Sequence, residues 1–547
     1  MKPRWGSGGA VLVLAATLLA GCASAPASAE PQVVVPAPAA SPAEATARSS
    51  APGAAAIAPP SDGRTAFVEG YRAYQSHDNA HTIVDLKFAA DNFPALGDYA
   101  LYYLALAQHD QGDLSGSADT LERLVKTYSQ SVTIDRGELM LADNLLKLGR
   151  SLDATAVASR LIARGSDASI EPAARIIEAR ALVALGNPKA AYAQAMEVRD
   201  RYPRSDADAD ARAIVHSILA SSPGVADTNS LTYHLHESEL LLREGALSEA
   251  EEQASAGLAL EPETPARAEL TWIKARALKP EPQRAKAVIL DYLQIAPRGP
   301  DAPAALEALG LIYWHDDQYE LARATLNRLV ANFPGSERAP GAMLRVGRIF
   351  EDEHRLDDAR SEYRRLAARY PNSDAAEDAR FRVPWTQYMA HSYRIAATGF
   401  QSAHARARDP IDRDMCEYWH ARALEKAGDA EAARAIFERL ALSTDSNYYP
   451  ELASRRVAAG KPDLAAASAP DPAYAGTPAA SGAAEFHMAR LQTLRTLGIK
   501  ELQPDELTAL AEESGTSEMR RFVLAGYASA DAWYNAIEAA MHMEKVG

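Results

Sequence analysis

The most informative feature of this sequence is the spacing of its apolar residues. Between residues 63 and 459, apolar side chains recur every three or four positions, with charged and polar residues between them. This spacing places the apolar side chains on one face of a helix, so it predicts a long succession of amphipathic α-helices. We expect almost no β-strand in this region.

The helical pattern is also repeated along the chain. The two clearest units cover residues 306–334 and 343–371, and matching positions are separated by 347 − 310 = 37 residues. Gly and Ala let two helices approach closely, and Pro ends a helix because it lacks a backbone N–H donor. The matching positions of this kind are Gly310, Ala322 and Pro334 in the first unit and Gly347, Ala359 and Pro371 in the second.

These units resemble the tetratricopeptide repeat (TPR), a helix–turn–helix unit of about 34 residues. Weaker copies lie on both sides, and at about 36 residues each, roughly eleven hairpins fit between residues 63 and 459. The resemblance implies an all-α fold, an α-solenoid or superhelix of TPR-like helical hairpins. Arrays of this kind present a concave surface for binding.

Two stretches rich in alanine and proline interrupt the helical pattern. Residues 22–62 begin at a cysteine and continue almost entirely in Ala, Pro, Ser and Val, a composition that cannot bury a core and predicts a tether. Residues 460–484 form a second break rich in Pro, Ala and Gly. After it, residues 485–547 regain the helical pattern, notably at 486–497 and 533–545, and predict a small helical linker-like domain.

Residues 1–21 have the features of an export signal. Lys2 and Arg4 precede an apolar stretch that runs from Ala10 to Ala20. A stretch of this length is too short to span a bilayer, which needs about 20 apolar residues. The sequence therefore predicts a signal peptide.

The end of this stretch resembles a bacterial lipobox, formed by Leu19, Ala20, Gly21 and Cys22. The resemblance implies that Cys22 carries a lipid anchor, and Ala23 directly after it implies sorting to the outer membrane, with the body on the periplasmic face. The alternative is an ordinary signal peptide cleaved near Ala25, which leaves Cys22 without a role.

The overall charge restricts the classes of partner. The chain has 57 Lys and Arg against 73 Asp and Glu, a formal net charge of −16. Phosphate backbones are bound by basic surfaces, so we expect no nucleic-acid partner, and we expect membrane contact through the N-terminal lipid only. Peptidoglycan and other envelope proteins remain as candidate partners.

The segment from Glu417 to Val457 carries a more specific resemblance. A hairpin that begins EYWHARALEKAG is followed by a short loop and by YYPELASRR. This segment is similar to the superhelical region of the soluble lytic murein transglycosylases. The resemblance implies three segments in a fixed order along the chain: a long array of helical hairpins, a proline-rich break and a small helical linker domain. This sequence shows the same order.

The sequence differs from that family in the motifs of the catalytic domain. In the family, a lysozyme-like domain with a Glu-Ser pair and a Gly-Leu-Met-Gln segment follows the linker domain. No Gly-Leu-Met-Gln occurs here, and the chain stops at Gly547, where the family's catalytic domain would begin. The Glu-Ser pairs at Glu237 and Glu513 are interpreted as solvated helix surfaces. Enzymatic activity is left open, but we expect that this chain alone does not cleave murein.

The remaining candidate groups have simpler structural interpretations. His77 and His81 lack a third ligand, and His234 and His236 diverge on a helix, so we expect no metal site and no cofactor. Cys416 is interpreted as a small buried core residue. The tryptophans are no more than one per hairpin, so we expect them to pack between hairpins, with stacking on sugar rings as the alternative. They are Trp272, Trp314, Trp385, Trp419 and Trp533.

Two functions remain after these exclusions. The first is that of an outer-membrane lipoprotein, with a TPR-like superhelical body that acts in peptidoglycan binding or turnover, or is a truncated member of the transglycosylase family. The alternative is a periplasmic TPR scaffold for protein–protein interaction in envelope or outer-membrane assembly.

Overall fold

The computed structural model describes residues 60–165, 169–443, 448–458, 482–513 and 517–530, together with the single positions 478, 480, 532 and 535. Across these residues the secondary structure is helical and contains no strand. The fold is a TPR-like α-solenoid, which confirms the fold class predicted from the periodicity. The predicted lipobox, most of the tether, most of the second break and all but one residue of the helix expected at 533–545 lie outside the described residues.

Between residues 63 and 458, the described part of the chain forms twenty-two α-helices, most of which pack against the next helix along the chain. One short 3₁₀ helix, Pro94–Leu96, precedes the third α-helix. The bounds of the first eleven are α1 Gly63–Gln75, α2 Asn79–Asn92, α3 Gly97–Asp110, α4 Leu114–Thr127, α5 Ile134–Lys147, α6 Ser151–Arg164, α7 Ile170–Ala184, α8 Pro188–Arg201, α9 Asp206–Ser221, α10 Leu231–Glu244 and α11 Leu247–Ala259.

The second half of the array follows the same pattern, and three further helices come after the second break. The bounds are α12 Thr264–Ala277, α13 Pro282–Ile295, α14 Ala302–His315, α15 Tyr319–Asn332, α16 Arg338–Asp352, α17 Leu356–Arg369, α18 Asp374–Met389, α19 Tyr393–His404, α20 Pro410–Ala427, α21 Ala430–Leu440, α22 Tyr448–Ala458, α23 Ala483–Leu497, α24 Gln503–Glu513 and α25 Ser517–Ser529.

Short polar side chains begin many of these helices. The Asp113 side chain accepts a hydrogen bond from the backbone N–H of Gly116, and the Ser373 side chain accepts one from Ala376. These bonds satisfy N–H groups that have no partner inside the helix. The turn before the second helix of a hairpin repeatedly contains a left-handed residue, for example Gly112 at φ 82° or His354 at φ 60°.

Neighbouring hairpins bury apolar clusters between them. In one cluster, fully or nearly fully buried side chains run from Ala268 on α12 to Ala379 on α18. Many of the positions are alanine, and its small side chain allows the helices to pack closely. The first helices of successive hairpins also touch each other, as α5 touches α7 and α16 touches α18.

The helices after the second break pack against the beginning of the array instead of extending it. Leu494 at the end of α23 and Ile499 and Leu502 just after it are buried in the same apolar cluster as Leu96 and Leu101 near the start of α3. The end of the described chain is therefore held against its first hairpins.

Candidate binding surfaces

The two repeat glycines lie where the helices of a hairpin touch. A Cβ atom on Gly310 would lie 2.8 Å from the side chain of Leu326, and one on Gly347 would lie 2.3 Å from the ring of Tyr363. Both partners are fully buried. Only a glycine allows the facing helix to come this close.

The matching alanines and prolines occupy equivalent places in the two units. Ala322 and Ala359 have no exposed surface. Pro334 and Pro371 follow one residue after the C-caps of α15 and α17. The two ends are also linked, because the Tyr370 hydroxyl donates a hydrogen bond of 2.9 Å to the carbonyl oxygen of Pro334.

One interpretation of a Glu-Ser pair is wrong. Glu237 and Ser238 are buried, whereas the sequence pattern predicted a solvated surface. Glu237 accepts bonds of 2.9 and 2.8 Å from the guanidinium of Arg199, which is itself buried and also contacts Glu244. Arg199 lies 38 residues earlier on a neighbouring hairpin, so the local pattern could not reveal this ion pair. Glu513, in contrast, is exposed at the last residue of α24.

A buried polar network joins the C-terminal helices to α3. We call it the terminal clasp and define it by Asp98 and Tyr99 on α3 and His487, Arg490 and Glu506 on α23 and α24. Arg490 Nε lies 3.0 Å from Asp98 Oδ2, and the Tyr99 hydroxyl donates to Glu506 Oε1 at 2.9 Å. His487 Nδ1 lies 2.7 Å from the other oxygen of Glu506.

Burial dominates the electrostatics of the terminal clasp. It raises the pKa of the Glu506 carboxyl, although the hydrogen bonds from His487 and Tyr99 act in the opposite direction. Burial and the neighbouring Glu506 and Asp98 raise the pKa of the Tyr99 hydroxyl well above its ordinary value. An exposed ion pair of 2.5 Å between Arg136 and Asp505 lies beside the clasp.

A basic groove lies between α17, α18 and α19. It encloses about 760 Å³, and four arginines line it: Arg364, Arg380, Arg406 and Arg408. Val383, Pro384 and Ala403 contribute apolar surface, and Asn372 and Ser402 contribute neutral polar groups. No carboxylate of the described residues lines the groove. We refer to it below as the arginine groove.

A second cavity, of about 530 Å³, has a different charge balance. It is lined by Glu307, Arg338 and Arg345 among others. Both guanidinium groups pair with the Glu307 carboxylate, Arg345 at 3.0 Å. The charges of this cavity are therefore largely compensated within the protein.

The tryptophans within the described residues make contacts with other hairpins or with neighbouring helices. Trp385 and Trp419 meet edge to face at 4.8 Å between ring centroids, and Trp272 packs against Tyr292 at 5.5 Å. The indole N–H of Trp314 donates to Asp352 at 2.9 Å. These contacts agree with a packing role; Trp533 lies outside the described residues.

The histidines and Cys416 take part in structural contacts. His81 lies 2.6 Å from Asp78 at a helix start, His77 is a left-handed turn residue, and His234 lies 2.9 Å from Gln253. Cys416 is buried, and burial raises the pKa of its thiol to about 12. Among the described residues, no group of His, Cys, Asp and Glu side chains has an arrangement that would hold a metal ion.

Comparisons with known proteins support the repeat architecture. Family models of the tetratricopeptide repeat match residues 99–131, 281–337, 341–373 and 416–443. No curated protein sequence matches the chain. Within the described residues, no helix combines the length and apolar character that a membrane span requires.

Several solved structures are similar at low identity. The 70 kDa soluble lytic transglycosylase SLT70 from Escherichia coli is 15% identical over 88% of this chain and 70% of its own, with a TM-score of 0.47. A tetratricopeptide repeat protein from Parabacteroides merdae is 15% identical over 54% of this chain and 98% of its own, with a TM-score of 0.31. The TPR domain of P58(IPK) is 13% identical over 66% and 97%, with a TM-score of 0.20. Identities this low say nothing about activity.

Proposed function

We propose that this protein is a lipid-anchored binding protein of the bacterial envelope, and that its TPR-like body engages peptidoglycan. The observation that carries the proposal is the combination of a repeat array with the lipobox-like sequence at residues 19–22 and the tether that follows it. A tether of about 40 residues spans roughly 35 Å as a flexible coil, and more when extended. The body would therefore reach from the outer membrane towards the peptidoglycan layer.

The proposed activity is binding without cleavage. Glycosidic cleavage requires a carboxylic acid that is free to transfer a proton to the substrate. Glu237, one of the two sequence candidates, is held by the buried guanidinium of Arg199 and is better suited to stabilising the array. The resemblance of residues 417–457 to lytic murein transglycosylases supports peptidoglycan as the partner.

Co-sedimentation tests this proposal. Protein comprising residues 22–547 is mixed with isolated murein sacculi, and the pelleted fraction is compared with that of an unrelated acidic helical protein. We expect the protein to pellet with sacculi and to release no 1,6-anhydromuropeptides. Equal amounts of both proteins in the pellet would contradict binding, and anhydro products that disappear with Glu513→Gln would contradict the absence of cleavage.

The anchor is tested separately, by metabolic labelling with palmitate. The wild-type protein should incorporate the label and fractionate with the outer membrane, and Cys22→Ser should do neither. An unlabelled wild-type protein would contradict the lipid anchor.

A second function is favoured by the repeats themselves, since tetratricopeptide repeats commonly mediate protein–protein interaction. The matches to repeat models cover four separate segments of the array. In this alternative the body is a periplasmic scaffold for envelope assembly. Chemical crosslinking in intact cells would then recover protein partners, and their pattern would not change after the murein is digested.

A further inference from the structure

We propose that the arginine groove binds a short peptide segment with two or more carboxylates. The proposed occupant is an acidic segment of a protein partner, so the groove is a candidate site beyond the proposed function. The argument starts from the charge distribution along the sequence.

The stretch that forms the groove has a charge opposite to that of the whole chain. Residues 364–408 contain eight arginines, no lysine and three acidic residues, which gives 8 − 3 = +5. The chain as a whole has a formal net charge of −16, so the residues outside this stretch have a net charge of −16 − 5 = −21. Two of these arginines pair with carboxylates outside the stretch, Arg365 with Glu362 and Arg382 with Glu351. The arginines that have no such partner attract anions and orient them during the encounter.

Within the groove, two guanidinium groups are available to a ligand. Arg364 and Arg406 are exposed, and neither side chain forms an ion pair or hydrogen bond with the described residues. The other two have partial partners, since Arg380 donates to the carbonyl oxygen of Pro371 and Arg408 pairs with Glu377 at 2.6 Å. The cavity at Glu307 is the contrast, because its arginines are already neutralised there.

The contact between α18 and α19 lies among the residues that line the groove. Pro384 lies inside α18, where a proline cannot donate the helical hydrogen bond. A Cβ atom on Gly399 of α19 would lie 2.7 Å from the side chain of Pro384, so the two helices touch at this point. Small side chains, among them those of Ser402 and Ala403, line the groove together with the four arginines.

The lining favours a peptide over an inorganic anion. Guanidinium groups bind carboxylates through paired N–H donors, and the neutral groups of Asn372 and Ser402 suit the backbone of a peptide. Ala368 and Val383 offer apolar surface to small side chains such as those of alanine. A peptide with alternating small and acidic residues matches all three kinds of lining.

Fluorescence anisotropy on the full chain tests the proposal. The probe is fluorescein-labelled Ala-Glu-Ala-Glu-Ala with a free C-terminus, and the control probe is Ala-Gln-Ala-Gln-Ala amide. We expect the acidic probe alone to bind, and we expect its affinity to fall when sodium chloride is raised from about 50 mM to about 500 mM. Equal binding of both probes, or no binding of either, would overturn the proposal.

Matched variants localise the site. The double variant Arg364→Gln with Arg406→Gln should weaken binding by about tenfold or more, because hydrogen bonds to charged groups contribute strongly to affinity. The control variant Arg434→Gln with Arg455→Gln removes the same charge from exposed helix surfaces elsewhere. An equal loss in both double variants would show a general charge effect and overturn the site.

Unlabelled competitors of the acidic probe show which class of molecule the groove binds and whether it prefers a peptide to an inorganic anion. Displacement by an unlabelled acidic protein peptide, with none by muropeptides from digested sacculi, would support a protein occupant, and equal displacement by muropeptides would overturn it. Equal displacement by pyrophosphate would overturn the preference for peptides. Peptide binding without co-sedimentation on sacculi would support the groove and contradict the proposed peptidoglycan function.

Discussion

Close helix contacts in this array depend on individual glycines. At Gly347 the facing atom belongs to a buried tyrosine ring, whereas a Cβ atom added to the exposed Gly335 would have no other atom within 4 Å. The two glycines lie twelve residues apart in the sequence but have opposite surroundings. They therefore form a matched pair for a stability measurement.

We expect Gly347→Ala to lower the free energy of unfolding by about 1–3 kcal/mol, because the added methyl group overpacks the contact with Tyr363. This cost exceeds the helix propensity that alanine gains over glycine, which is at most about 1 kcal/mol. Gly335→Ala should change stability little. Urea denaturation followed by circular dichroism measures both, and an equal effect of the two substitutions would contradict the close contact.

The charged form of the Asp412 side chain is unfavourable in the folded protein. Burial, followed by the nearby carboxylates of Asp409, Glu377 and Asp378, raises the pKa of Asp412 to about 6. The folded protein therefore holds this proton up to a higher pH than the unfolded chain does. We therefore expect the contribution of Asp412 to stability to fall as the pH rises from about 4 to about 6 and to level off above the folded-state pKa.

Asp412→Asn should remove this contribution. Since the side chain is only half-buried, we expect the variant to be more stable than the wild type by roughly 1 kcal/mol at pH 7 and equally stable near pH 4. The unfolding free energies of both proteins, measured from about pH 4 to about pH 7, check this. A difference that stays constant with pH would mean that Asp412 does not titrate in this range.

At the scale of an element, the left-handed turn residue recurs in hairpin after hairpin. Glycine occupies it at Gly112, Gly186 and Gly428, while histidine occupies it at His354 and His391. A side chain in this conformation is strained by about 1–2 kcal/mol, and glycine is not. The array therefore keeps the turn geometry even where the sequence does not provide a glycine.

Gly112→Ala tests the turn conformation without a steric contribution. A Cβ atom there would meet nothing within 4 Å, as at Gly335, but Gly112 has φ 82°. We expect Gly112→Ala to lower the free energy of unfolding by about 1 kcal/mol. His354→Gly should be neutral or slightly stabilising. Equal stabilities of the Gly112→Ala and Gly335→Ala variants would contradict a left-handed turn.

At the scale of the whole molecule, the terminal clasp couples segments almost four hundred residues apart. Asp98 has no exposed surface and Arg490 is nearly buried, so each depends on the other for compensation. Removing one member of such a pair leaves a buried charge without its partner. Both segments should then open together.

Arg490→Gln should weaken the terminal clasp by about 3 kcal/mol. We expect amide hydrogen exchange to become faster in both α3 and α23, by about a hundredfold where exchange proceeds through opening of the clasp. Arg455→Gln, at an exposed pair with Glu451, should leave both helices unchanged. Faster exchange confined to α23 would contradict the coupling.

The sequence by itself determined the helical repeat of this protein. Helix periodicity, short polar N-caps and the glycines and alanines at Gly310, Gly347, Ala322 and Ala359 are local signals, each contained within one hairpin. The same sequence pattern also recurs from hairpin to hairpin, because every hairpin must bury a similar face against its neighbours. This is why the fold class could be predicted.

Only the tertiary structure decided the burial of Glu237, the terminal clasp and the arginine groove. Glu237 acquires its partner Arg199 from another hairpin, and Asp98 acquires Arg490 from the far end of the chain. Arginine enrichment in residues 364–408 was visible in the sequence, but not which guanidinium groups line one groove. Pairs of residues far apart in the sequence produce no repeating pattern. The identity of a charged residue therefore does not indicate which distant residue will pair with it.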